Sequence, residues 1–241
     1  MSQSSNTTRA DRGVEAALTE FAAGNPVLIH DAADREGEID LVYPAAAVTP
    51  GDVSRMRNDA GGLVCVALPH TVCETWELPL AQEYVDHPAN ASHELGYDER
   101  SSFSLTVNHR DTFTGITDAD RALTISELGA AAAEVQRAHR LAGEGAEDAI
   151  AADAAAFAGQ FRAPGHVHLL RAAPGLLADR EGHTELGVAL AAAAGTAPAV
   201  VVCEMLDDET GGALSPADAA LYAESHGIPY LEGAAIVERL G

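Results

Sequence analysis

187-GVALAAAAGTAPAVVVC-203 is the longest apolar stretch of this chain, and its reading decides whether the molecule spans a membrane or packs around a sheet. A spanning helix needs about 20 consecutive apolar residues. Here Gly195, Thr196 and Pro198 interrupt the run. The stretch therefore reads as an Ala-rich helix, a turn and a buried strand. No membrane partner is expected.

Working outward, the same alternation of patterns recurs. Apolar runs bounded by turn residues predict strands at 26-PVLIH-30, 63-LVCVALP-69, 103-FSLTVNH-109, 166-HVHLLRA-172 and 198-PAVVVCEM-205. Helical spacing marks 12–24, which ends at a glycine cap, and also 50–59, 118–138, 183–194 and 215–226. Residues 1–11 read as a disordered lead-in, and one domain is expected over 12–241. The polar segment 86–102 reads as a long loop. The Ala/Gly/acid-rich segment 139–160 reads as a surface helix or an insertion. Strands alternating with helices point to a single α/β or α+β domain around one sheet.

Hydrophobic residues make up 47% of the 241 residues, too many for a disordered chain. The first residues, MSQSSNTTRADRG, contain no apolar core of a secretory signal, so a soluble cytoplasmic protein is expected. There are 37 acidic and 14 basic residues; every basic residue is arginine and lysine is absent. A net charge of −23 argues against nucleic acid, whose phosphates each require a basic partner. The acids serve either a basic partner or life in concentrated salt, where self-repulsion is screened. Their spread along the whole chain favours the salt-adapted, halophile-like reading. Cys65, Cys73 and Cys203 show no metal-ligand spacing and read as reduced thiols, two of them within apolar runs.

Four segments carry groups able to do chemistry. In 31-DAADREGEIDLVYPA-45, an extended backbone after Arg35 would put Glu36, Glu38 and Asp40 on one face. Three carboxylates so close repel unless a cation lies between them, which Arg35 or a divalent metal would supply. A solvated acidic turn accounts for the same spacing. In 179-DREGHTE-185, Gly182 permits close approach, Thr184 can cap the following helix, Arg180 suits phosphate, and His183 suits a metal or a proton. A capped helix start with an incidental histidine is the alternative. Glu204 ends an apolar strand, the place where open α/β sheets gather ligands, although it can equally be a loop acid. In 162-RAPGHVHLL-170, Pro164-Gly165 makes a turn before a strand that carries His166 and His168 on one face.

Taken in order, these segments resemble the 3,4-dihydroxy-2-butanone 4-phosphate synthases of riboflavin biosynthesis. DREGEIDLVYPA resembles their DRENEGDL loop, and GGLVCVAL their GSGIVCL-type strand. FSLTV comes next, and then TGITDADRALTI, similar to TTGISAADRATTI. RAPGHVHLLRA resembles RPGHVFPLRA, and REGHTELGVALAAAAG resembles RxGHTEAAVDLARLAG. VVVCEMLDDETGGALS resembles GVICEIMNDDGTMA. The likeness extends over about residues 14–238.

The resemblance implies an α+β fold with a mixed β-sheet flanked by helices, and a homodimer with active sites at the subunit interface. It implies a lyase that converts D-ribulose 5-phosphate into L-3,4-dihydroxybutan-2-one 4-phosphate and formate with Mg²⁺ or Mn²⁺. By motif match, Arg35, Glu36 and Asp40 contact substrate, and Glu36 and His183 hold the metal. Glu38 matches a further acid of the loop and counts among the catalytic groups. Arg180, Glu181, Gly182, His183 and Thr184 match the substrate loop, placed at the phosphate end. His166 and Glu204 match the catalytic pair, with His166 acting from the neighbouring subunit and Glu204 also touching substrate. Thr114 and Cys65 match residues near the pocket.

Two departures stand out within the first motif. Gly37 replaces an asparagine, and Ile39 replaces a glycine, which would stiffen a loop that has to close. The family's NDDGTMA segment is DDETGGALS here, one residue longer, and the segments 86–102 and 139–160 are longer than in compact members. The end at Gly241 leaves no room for the cyclohydrolase domain fused to some members, so a monofunctional chain is expected. Competing readings are another metal-dependent phosphosugar isomerase or lyase, and a catalytically silent binding protein on the same fold.

Overall fold

The stretch 187–203 folds as helix, turn and strand in the computed structural model, which describes residues 3–31, 35–90, 100–143 and 153–241. The strands among these residues are β1 (Val27–His30), β2 (Ile39–Pro44), β3 (Cys65–Leu68), β4 (Phe103–His109), β5 (Phe161–Arg171), β6 (Val200–Glu204) and β7 (Tyr230–Glu232). They form one seven-stranded sheet in the order β4-β5-β3-β6-β2-β1-β7. The pairs β1–β7 and β3–β5 are parallel, whereas β1–β2, β2–β6, β3–β6 and β4–β5 are antiparallel. The sheet is therefore mixed and the fold is α+β.

The helices are α1 (Gln3–Ala22), α2 (Pro50–Arg55), α3 (His70–Thr75), α4 (Ala81–Tyr84), α5 (Asp118–Gly143), α6 (Ala154–Gln160), α7 (His183–Ala194), α8 (Pro216–His226) and α9 (Gly233–Leu240). Among the described residues no helix is long and apolar enough to cross a membrane. Strand alternation distributes them over the two faces of the sheet. Leu28, Leu41, Tyr43, Val201 and Cys203 point into a core shared with α2, α5 and α8. Val27, Ile29, Val42, Val200 and Val202 point into a second core with α1, α7 and α9. Fully burying one such side chain contributes about 1.5–3 kcal/mol.

Several boundaries differ from the sequence reading. Helix α1 begins at Gln3, so it takes in most of the segment read as a lead-in; residues 1–2 lie outside the described residues. Helix α2 passes into a π-helical turn over Met56–Ala60 instead of continuing to 59 as α-helix. In the segment 86–102, Pro88–Asn90 form a 3-10 turn and 91–99 lie outside the described residues. In the segment 139–160, α5 runs on to Gly143 and α6 starts at Ala154, with 144–152 outside the described residues. Pro164 and Gly165 lie within β5 rather than before it, at a register shift against β4. The N–H groups of Gly165 and His166 there donate to Thr106 Oγ1 (3.1 Å) and Asn108 Oδ1 (2.8 Å).

Candidate active site

A cavity of about 300 Å³ opens on the α7 face of the sheet, where β6 ends and β2 and β3 begin. Asp40 and Glu204 are register partners across the β2–β6 pair, so the strands themselves bring these two carboxylates together. Both have the parity of Val42 and Val202, residues of the α7-side core, and both line the cavity. Cys65, on the adjacent β3, also lines it. Burial, followed by the nearby Glu204 and Asp40 carboxylates, holds its thiol well above the ordinary range.

Between β1 and β2 the chain passes through the acidic loop. Arg35, Glu36 and Glu38 line the cavity, and Asp31 organises them from beneath. The N–H groups of Glu36 and Glu38 donate to Asp31 Oδ2 (3.4 Å) and Oδ1 (3.2 Å), and Arg35 Nε lies 3.8 Å from Oδ2. Asp34 lies outside the described residues. Ile39 is not part of this loop: it is buried at the start of β2, and its carbonyl accepts the Met205 N–H at 2.7 Å. The stiffening expected of it therefore falls on a strand end.

Helix α7 starts over the same cavity. Its N-cap is Gly182, with no side chain capping it, so Thr184 lies buried in the first turn instead of acting as the cap. The uncapped N–H groups favour an anion. Arg35 and Arg180 converge on Gly182, where a Cβ would lie 2.8 Å from Arg180 Nη1 and 3.1 Å from Arg35 Nη2. Glu185 fixes Arg180 through a bond of 2.9 Å from Nη1 and itself accepts the Ala173 N–H at 2.9 Å. Arg35, Arg180 and the start of α7 make the cationic end of the cavity. Glu36, Glu38, Asp40 and Glu204 make its acidic side.

His183 lies between the two ends. Its Nδ1 is 3.6 Å from Glu36 Oε2 and 3.8 Å from Asp40 Oδ1. Burial works against its charge, but Asp40, Glu36 and Asp31 outweigh that and take its pKa up to about 9. The hydrogen bond with His183 in turn holds Glu36 below the ordinary carboxylate range. Asp40 is pushed the other way, to about 7, by burial, with Glu204, Glu38 and Glu36 adding to it against His183. Glu38 is raised by burial and then by Glu36 and Glu204.

Asp31, Glu36 and His183 each offer a ligand atom, and these atoms lie within 4.8 Å of one another. His183 Nε2 and Asp40 Oδ1 are buried without a hydrogen-bond partner. Oxygen-rich donors, one imidazole and unsatisfied buried atoms suit a hard divalent cation.

Three sequence-derived candidates lie elsewhere. Glu181 is exposed and does not line the cavity. His166 is exposed on β5, held by Asn108, and is also absent from the lining. Thr114 is exposed, and its carbonyl accepts from the same Asn108 (3.4 Å). The pairing of His166 with His168 as ligands is not formed: His168 is half-buried and edge-on to Phe103, with ring centroids 5.9 Å apart. Conversely, sequence reading left Asp31 open and passed over Arg100, Ser101 and Ser102, which also line the cavity. The one available signal was an arginine interrupting an acidic, polar segment.

The family model for 3,4-dihydroxy-2-butanone 4-phosphate synthase matches residues 15–239. A protein of that name from Methanosarcina mazei is 46% identical over 239 residues, covering 95% of this chain and 91% of the relative. Its namesake from Archaeoglobus fulgidus is 47% identical over 234 residues, with 93% and 92% covered. A crystal structure of a 3,4-dihydroxy-2-butanone 4-phosphate synthase in complex with two magnesium ions superposes with a TM-score of 0.73 at 27% identity. That superposition covers 94% of this chain and 95% of the other. With the acidic loop, the start of α7 and Glu204 gathered at one cavity and residues 15–239 matched, the chain belongs to the 3,4-dihydroxy-2-butanone 4-phosphate synthase family.

Proposed function

We propose that this chain converts D-ribulose 5-phosphate into L-3,4-dihydroxybutan-2-one 4-phosphate and formate, supplying a four-carbon unit for riboflavin. The observation that carries this reading is the convergence of the acidic loop (Arg35, Glu36, Glu38, Asp40), the start of α7 (Arg180, His183, Thr184) and Glu204 on one cavity, with a cationic and an acidic side. The two products together contain the atoms of the substrate. No oxidant or reductant is required, only proton transfers, loss and return of water, and a shift of the carbon skeleton.

Arg35, Arg180, Thr184 and the uncapped start of α7 bind the phosphate, which orients the sugar toward the carboxylates. A proton must leave the carbon beside the carbonyl, and later steps return protons. Asp40, near neutrality at about 7, exchanges protons readily in both directions. Glu38 and Glu204 supply further carboxylates, each worth about 10²–10⁴-fold when positioned for transfer. Glu36 and His183, with Asp31 behind them, would hold Mg²⁺ or Mn²⁺. When bound, such an ion supplies several kcal/mol of charge stabilisation to developing oxyanions.

The active unit in this reading is a homodimer in which His166 serves the partner's cavity. Supporting it, His166 lies outside its own cavity, and its neighbour Asn108 joins it to the loop carrying Phe113, 93% exposed, and Ile116, 52% exposed. The setting is the cytoplasm of a salt-adapted cell, with a small phosphosugar rather than nucleic acid or membrane as partner, consistent with the charge of −23.

The test is formate release from ribulose 5-phosphate and Mg²⁺ in molar KCl. Wild-type protein is expected to release it, and Glu36→Ala and His183→Ala each to lose it with unchanged circular dichroism. Turnover of the phosphosugar without formate would point to an isomerase. No turnover by a folded protein would point to a binding role.

A further inference from the structure

We infer that Gly62 and the Leu63 N–H are positioning groups for the Glu204 carboxylate. This deepens the proposed function and rests on it, since it concerns how an acid of that site is aimed. Glu204 closes β6, and a strand end by itself leaves its side chain free to rotate. Here the segment 61–63 runs alongside it. Gly62 N–H donates to the Glu204 carbonyl at 3.0 Å, and Leu63 N–H donates to Oε2 at 2.7 Å. Gly61 bridges to Met205, and Leu206 N–H donates to Ala60 O at 2.7 Å, so the contact is fastened on both sides.

The approach is close enough to exclude a side chain. A Cβ on Gly62 would lie 2.5 Å from the Glu204 carbonyl oxygen, 2.5 Å from Oε2 and 2.8 Å from its Cβ. The backbone at Gly62 is outside the left-handed region, so the requirement for glycine comes from Glu204 and not from backbone conformation. The π-helical turn Met56–Ala60 delivers the segment. It ends with Gly61 N–H on Met56 O at 2.8 Å and with Gly61 left-handed at φ 86°. Such a turn widens the helix by one residue and re-aims the chain beyond it. Oε2 is thereby tied to a main-chain donor, and the carboxylate is held in one rotamer. An acid or base must lie within about 2.6–3.2 Å of the proton it moves.

The experiment compares wild type, Gly62→Ala, Glu204→Gln and the double variant in steady-state formate release. Displacing a catalytic group by about 1 Å costs about 100-fold, so kcat of Gly62→Ala is expected to fall by about that factor. KM should stay within about twofold, because phosphate binding at the start of α7 is untouched. The double variant should fall no further than Glu204→Gln, since both act through one carboxylate. Wild-type kcat in Gly62→Ala, a loss confined to KM, or losses that multiply would each overturn the inference. Should Gly62→Ala fail to fold by circular dichroism, Leu63→Pro removes the same N–H without a Cβ at position 62 and is judged by the same criteria. Wild-type protein that releases no formate overturns the proposed function, and this inference with it, before any variant is compared.

Discussion

His183 is protonated at neutral pH wherever the carboxylates around it keep its pKa at about 9, yet only a neutral imidazole binds a metal. With His183 as the proposed ligand, loading the site is expected to expel a proton at any pH below about 9. As pH falls below that value, apparent Mg²⁺ affinity weakens by about tenfold per unit. Above it, affinity levels off. Protonation of Asp40 below about 7 removes a neighbouring negative charge and steepens the loss. Magnesium titrations by calorimetry at pH values from about two units below neutral-imidazole formation to just above it should show this slope in wild type and its absence in His183→Gln. Affinity independent of pH would exclude His183 as a ligand. The convergence of Glu36, Asp40 and His183 was legible because the motifs they sit in are specific in combination. Asp31 was not, because it works by accepting main-chain N–H groups of Glu36 and Glu38, a role that leaves no spacing in the sequence.

At the level of elements, α7 is held against the sheet at a distance set by Gly187. A Cβ there would lie 2.8 Å from Val200 Cγ2 on β6. Gly187→Ala is expected to push the helix outward at a cost of about 1–3 kcal/mol. That lowers the melting temperature by about 2–4 °C per kcal/mol for a chain of this size. Because α7 begins with His183 and Thr184, the same shift should raise KM for the phosphosugar. A variant with lower melting temperature and unchanged KM would show that the start of α7 is held independently of its middle. The helix and β6 were readable because Gly195 and Pro198 punctuate the run between them. Strand β2 was harder: all six of its residues are buried, so the alternation that betrays a strand with one wet face is missing. With only three residues, β7 carries too little pattern to detect. Ile39 was misplaced for a related reason, since a loop motif runs without punctuation into β2.

The acids of the whole molecule divide into two sets. Among the described residues, Asp31, Asp40 and Glu185 are buried, and all three belong to the cavity or its supports. Glu36, Glu38 and Glu204 line the cavity half-buried, most other described acids are exposed, and the chain as a whole carries −23. The proposed dimer would carry twice −23, or −46, so its assembly would have to overcome substantial self-repulsion. Screening shortens from about 10 Å at 0.1 M salt to about 3 Å at 1 M, so such a dimer is expected to be salt-dependent. If His166 serves the partner's cavity, His166→Ala and Glu204→Gln damage different chains of the same site. Each variant alone should be inactive. Mixed in equal amounts with subunit exchange, half the dimers are hybrids and each hybrid holds one intact site. Recovery should then reach about a quarter of wild-type formate release in molar KCl. The recovered activity should decline as KCl is lowered, together with the dimer fraction measured by light scattering. If exchange occurs and no activity returns, His166 and Glu204 act within one chain and the interface site is wrong; if recovery is indifferent to KCl, the surface acids are not what governs assembly.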